Sequence, residues 1–161
     1  MPKPLIKDRQ IIDDAWTLVR DTETGAPAGP AILPLALWKT LRDSRAAADT
    51  GVWLAPADDP AELAGAVAEL PVIAVDFPQF ADGRGYSIGR LLRERYGFAG
   101  ELRAIGDVLR DQLYPLEQVG FNAFSLREDR DPAKDIAGLH DFSLGYQQTF
   151  LRQQPLFRHA R

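Results

Sequence analysis

Between Gly51 and Leu126 one pattern recurs four times: a short apolar run, a turn, then a longer amphipathic stretch. The runs are Val52-Trp53-Leu54-Ala55, Val72-Ile73-Ala74-Val75, Leu102-Arg103-Ala104-Ile105 and Asn122-Ala123-Phe124-Ser125-Leu126. Short, nearly continuous apolar runs of this kind suit strands covered on both faces. The intervening stretches carry helix signals. Asp59-Pro60 sets a capping carboxylate and a first-turn proline ahead of a helix to about Leu70. A helix from about Ser87 to Tyr96 ends at Gly97, and one capped by Asp107 runs to about Gln118 and ends at Gly120. Asp131-Pro132 opens a last helix toward Phe150. Successive strands start roughly 20 to 30 residues apart, the room a helical crossover between parallel strands needs.

Ahead of Gly51 the rhythm is weaker. Residues 1–14 read as an extended arm that adds an antiparallel edge, Trp16–Val19 has strand character, and residues 21–30 are turn formers. Ile32-Leu33 is a short extended piece before a helix over Pro34–Arg42. The expectation is a single α/β domain of about four parallel βα units over 31–150. An N-terminal arm and edge strand over 1–30 precede it, and a basic tail over 151–161 follows. The pattern leaves two closures open, a half-barrel and an open doubly wound sheet.

Composition narrows the classes. The 161 residues carry a formal net charge of −4, which argues against a general nucleic-acid binder. The absence of cysteine removes disulfides, thiol catalysis and cysteine-held clusters, and only His140 and His159 are available as imidazoles. No metal site is expected. No apolar run reaches the ~20 residues of a membrane span, and Met1–Asp14 has no signal-peptide core. The expectation is a cytoplasmic protein without membrane attachment.

Parallel α/β sheets bind ligands beyond the carboxyl ends of their strands. Those ends deliver Asp58 and Asp59, Asp76, Asp107, and Arg127 with Glu128. Asp59 and Asp107 read first as helix caps; Asp76 and Asp107 are also the acid–base candidates. The segment Asp82-Gly83-Arg84-Gly85-Tyr86-Ser87 sets a cation and free amides at a helix start, a place that attracts anions. Asp82, Arg84, Gly85, Tyr86, Ser87 and Arg127 are therefore the ligand-binding candidates. Arg90 and Arg93 share a helix face and either extend that patch or are simply solvated. The glycine spacing meets neither the dinucleotide fingerprint nor a P-loop, so no cofactor is assigned. His140 reads as a packing or surface residue.

Asp82–Ser87, Gly100-Glu101-Leu102-Arg103-Ala104, Gly106–Gln112 and Gly120–Phe124 stand in an order that resembles a family of small bacterial proteins. That family is labelled as oxidoreductases involved in sulfite reduction and is encoded beside assimilatory sulfite reductase. The resemblance covers roughly residues 30–150 and carries no mechanism. It implies an accessory protein of sulfite assimilation whose partners are sulfite reductase, its electron donor or a small oxyanion. Two alternatives stand beside it: an enzyme using an external cofactor, and a non-catalytic interaction domain that completes a half-barrel as a homodimer.

Overall fold

The computed structural model of the protein describes residues 3–79 and 83–140. Its strands are β1 (Pro4–Lys7), β2 (Gln10–Asp13), β3 (Thr17–Leu18), β4 (Ala31–Pro34), β5 (Thr50–Leu54), β6 (Val72–Phe77), β7 (Glu101–Gly106) and β8 (Ala123–Phe124). They form one sheet in the order β2-β1-β8-β7-β6-β5-β4-β3. From β3 to β8 every neighbouring pair is parallel, while β1 and β2 form a hairpin antiparallel to β8. The arm therefore becomes an edge hairpin, turning at Asp8 and Arg9, both at positive φ (51° and 65°) as a primed two-residue turn requires. The parallel array is larger than the four expected units, because Thr17–Leu18 and Ala31–Pro34 join it.

Consecutive strand order decides the closure. Right-handed crossovers between successive neighbours put the helices that join them on the same side. The α-helices are α1 (Leu35–Leu41), α2 (Arg84–Glu94), α3 (Arg110–Gln118) and α4 (Pro132–Asp135). Leu37, Trp38, Ile88, Leu92, Leu113 and Leu116 from the first three pack with Leu33, Val52, Leu54, Ile73, Val75, Leu102 and Phe124 of the sheet in one core. The opposite face holds a smaller cluster of Ile32, Val72, Ala74 and Ile105, with Trp16, Leu18 and Trp53 against it. The sheet is half-barrel-like, and the doubly wound alternative is ruled out.

The sheet is strongly curled. Laid flat, eight strands at ~4.8 Å spacing would separate the two edges by ~34 Å. Yet β2 at one edge ends at Asp13 and β3 at the other begins at Thr17. Four extended steps reach only ~14 Å. Residues 14–16 therefore tie the edges together and run across the concave face.

Three expectations are corrected. The helix over 60–70 is a 3₁₀ turn at Pro60–Leu63 followed by further turns, bonded at i−3 through Ala64, Ala66 and Glu69. Its buried residues Pro60, Leu63 and Ala66 recur every third position, the 3₁₀ period, before Leu70 follows four positions on. Asp59 does cap it, accepting from Ala61 N at 2.9 Å. Asp107 is not the N-cap of α3: that position is Leu109, whose N donates to the side chain of Gln112 at 2.9 Å. Arg93 is not solvated. It reaches inward to donate to the carbonyls of Gly120 (2.8 Å), Phe98 (2.8 Å) and Gly100 (2.9 Å). Burial lowers its pKa to about 10. Asp131 accepts from Ala133 N at 3.0 Å and opens α4, which gives way to a 3₁₀ turn over Ile136–His140. The remainder of that expected helix, the C-terminal tail and Asp82 lie outside the described residues.

Candidate functional site

Strand alternation sends odd and even residues of β6 and β7 to opposite faces. Phe77, Leu102 and Ala104 enter the helix-side core, while Asp76, Glu101, Arg103 and Ile105 face the concave side. A cleft of about 1090 Å³ opens there. Trp16, Leu18, Ile32 and Ile105 give it an apolar wall, and Arg20, Arg103, Arg127 and Arg130 give it cations.

Arg103 is the most deeply placed of these, with 3% of its side chain exposed. Its Nε donates to Glu101 Oε2 at 2.7 Å and its Nη1 to Asp14 Oδ2 at 2.8 Å. Glu101 also pairs with Lys7 at 3.3 Å through Oε1, and Asp14 Oδ1 accepts from Trp16 N at 3.0 Å. Both carboxylates thus have their second oxygen engaged. Arg103 Nη2 is left without a hydrogen-bond partner among the described residues.

Asp76 closes β6 two residues further along the same face. Arg20 Nη1 stands 3.1 Å from its Oδ1 but off the hydrogen-bond direction, so the oxygen is buried and unaligned. Arg20 also lies 5.0 Å over the Trp53 ring, whose Nε1 donates to Val19 O at 2.8 Å. Gly106 makes this arrangement possible. At φ +94° it adopts a conformation that suits glycine, and a Cβ there would lie 2.6 Å from both Asp76 Oδ1 and Phe77 O.

The sequence-derived candidates fall into two groups. Asp76, Asp107 and Arg127 stand at the carboxyl ends of β6, β7 and β8. Arg127 Nη1 meets Asp107 Oδ1 at 3.1 Å and grips Asp129 at 2.6 and 2.8 Å. Arg84, Gly85, Tyr86 and Ser87 form the first turn of α2 on the other side of the sheet. There Arg84 and Ser87 are exposed. Gly85 lies against Phe77, where a Cβ would come within 2.5 Å of the ring, and Tyr86 meets Phe77 edge-on at 5.6 Å. Burial raises the Tyr86 pKa, against a smaller opposing effect of its hydrogen bond with Gln112. Gly89 packs equally closely on Phe121. The glycine spacing of this segment therefore serves helix–sheet contact. His140 is exposed, its Nδ1 3.4 Å from Arg9 Nη1.

Sequence reasoning missed Arg103, Asp14 and Arg20. One signal was present: a cation inside the apolar run Leu102–Ile105 has to be paired or used if that strand is buried. Asp14 and Arg20 carried no such signal, since only the curl of the sheet brings them to the cleft.

Among the described residues, no cluster of three or more carboxylate or imidazole groups is placed to hold a metal ion, and no helix is long and apolar enough to cross a membrane. The fold and cleft define a mixed α/β protein with a half-barrel-like sheet and a charged concave site. Residues 51–157 match the family described as "Bacterial protein of unknown function (DUF934)", and the chain belongs to that family. No curated protein sequence matches it.

Proposed function

We propose that this chain is an accessory protein of assimilatory sulfite reduction that captures a small oxyanion, presented alone or by a reductase or electron-donor partner. The reading is carried by Arg103, a buried guanidinium on the wall of the concave cleft with one donor unused. A buried N–H group lacking an acceptor is costly, and an oxyanion supplies one. Arg20, Arg127 and Arg130 also line the cleft, each paired with a carboxylate. The tie to sulfite comes from the motif resemblance, and the bacterial family is compatible with it.

The test is a thermal-shift series with sulfite, sulfate, phosphate, a flavin and a nicotinamide nucleotide. It uses the wild-type protein, Arg103→Lys, Arg127→Ala and Arg84→Ala. Sulfite should raise the melting temperature of the wild type and of Arg84→Ala, and the shift should shrink in Arg103→Lys. Loss in Arg84→Ala alone would relocate the site to the first turn of α2. No shift with any anion, together with no capture of sulfite reductase in a pull-down, would refute the accessory role.

The enzymatic alternative rests on Asp76, a buried carboxylate at a strand's carboxyl end. A flavin or nicotinamide shift that disappears in Asp76→Asn would favour it.

A further inference from the structure

The cleft is far larger than an inorganic oxyanion needs. A water's share of liquid volume is ~30 Å³, and a sulfite or phosphate ion is only a small multiple of that. The volume of about 1090 Å³ lies instead at the upper end of organic-ligand pockets. Its apolar wall, Trp16 and Leu18 laid over the buried Ile32 and Ile105, is of no use to a bare ion. Trp16 and Leu18 are only half-buried, so their apolar surface is open to a ligand.

The donor left open on Arg103 is built in. Asp14 would satisfy both Nη atoms if it met the guanidinium end-on, but it is turned so that its Oδ1 accepts from Trp16 N. Glu101 is committed through Oε1 to Lys7 and through Oε2 to Arg103 Nε. Neither neighbour supplies an acceptor to Nη2 in this arrangement. Residues 14–16 thus do two things together: Asp14 orients Arg103, and Trp16 lays an indole along the same cleft.

Resting on the oxyanion reading of this cleft, we propose that its ligand is an organic oxyanion, a carboxylate or phosphate carried on a flat or aliphatic body. The anionic end is accepted by Arg103 Nη2, and the body packs on the half-buried Trp16 and Leu18. The charge-assisted hydrogen bond fixes one end, and burial of the body supplies affinity that a mineral anion cannot gain.

The experiment titrates the full-length protein with phenyl phosphate and benzoate, alongside inorganic phosphate, sulfite and benzyl alcohol. Calorimetry gives the affinities, and the Trp16 indole N–H resonance reports the place. Phenyl phosphate or benzoate should bind about tenfold or more tightly than both the mineral anions and the neutral alcohol. Which of the two binds better identifies the headgroup. In Arg103→Lys the charged organic probes should lose about tenfold while benzyl alcohol is unchanged. Leu18→Ser, at a half-buried wall position, should weaken the organic probes and spare the mineral anions, which keeps the test intact if Arg103→Lys does not fold. Mineral anions binding as tightly as the organic ones would overturn this inference and leave the oxyanion function standing. Benzyl alcohol binding as tightly as the charged probes would overturn both, as would no binding by any probe.

Discussion

Alanine at Gly89 tests whether the glycines of α2 are there for packing. In an exposed helix interior, Gly→Ala stabilises by ~1 kcal/mol through helix propensity. At Gly89 the new Cβ would stand 2.3 Å from Cε1 and 2.7 Å from Cζ of Phe121, a ring only 1% exposed. Phe121 also touches Phe77, with ring centroids 6.0 Å apart, so it has little room to retreat. Overpacking of this kind costs ~1–3 kcal/mol and occasionally more. The clash should outweigh propensity, leaving Gly89→Ala destabilised by about 1–2 kcal/mol, or a melting temperature lower by roughly 2–8 °C. Urea unfolding of Gly89→Ala, Phe121→Leu and the double variant would measure the coupling. The smaller side chain should recover ~1 kcal/mol of the loss. Gly83→Ala, where none of the described residues lies within 4 Å, is the control and should be nearly neutral. If Gly89→Ala matches or exceeds the wild type, the close contact between α2 and Phe121 is not what fixes this glycine.

Other outcomes follow from the buried polar groups. Arg93→Ala removes the donor shared by the carbonyls of Gly120, Phe98 and Gly100, and should cost about 3–5 kcal/mol in denaturant unfolding. Arg93→Lys should recover only part of this, because an ammonium cannot reproduce the fork. Arg130 holds Asp135 through contacts of 2.7 and 2.8 Å and lowers its pKa, chiefly by hydrogen bonding. The folded state therefore binds this proton less readily than the unfolded chain. The pair's contribution is complete above the ordinary carboxylate range, about pH 4, and fades as pH falls through the lowered native value. The stability gap between wild type and Asp135→Asn should shrink over that acidic window; a gap independent of pH would contradict the pairing. Burial raises the pKa of Tyr86, so its phenol should titrate later than the same group in the unfolded chain. That contribution is present below about pH 10 and lost at higher pH. Ultraviolet titration of wild type against Tyr86→Phe would reveal it.

Much of this protein is determined locally. The apolar runs at Val72–Val75 and Leu102–Ile105 become β6 and β7, Asp59 and Asp131 cap turns through their own side chains, and Gly97 and Gly120 take the positive φ that ends α2 and α3. Each follows from steric and hydrogen-bonding preferences that act within a few residues. The alternation of strand and helix also carries the parallel sheet, because only a crossover of that length returns the chain in the same direction.

What the local signals do not hold is which side of the sheet a residue meets and what stands opposite it. Consecutive strand order put α1, α2 and α3 on one face, and the three-residue tie between β2 and β3 curled the other into a cleft. That curl brought Asp14 to Arg103 across 89 positions of sequence and Arg20 to Asp76 across 56. It also separated Asp76 and Arg127 from Arg84, which lies on a helix behind the sheet. Such pairings depend on closure of the whole sheet, a cooperative outcome of core burial, so no window of the chain contains them.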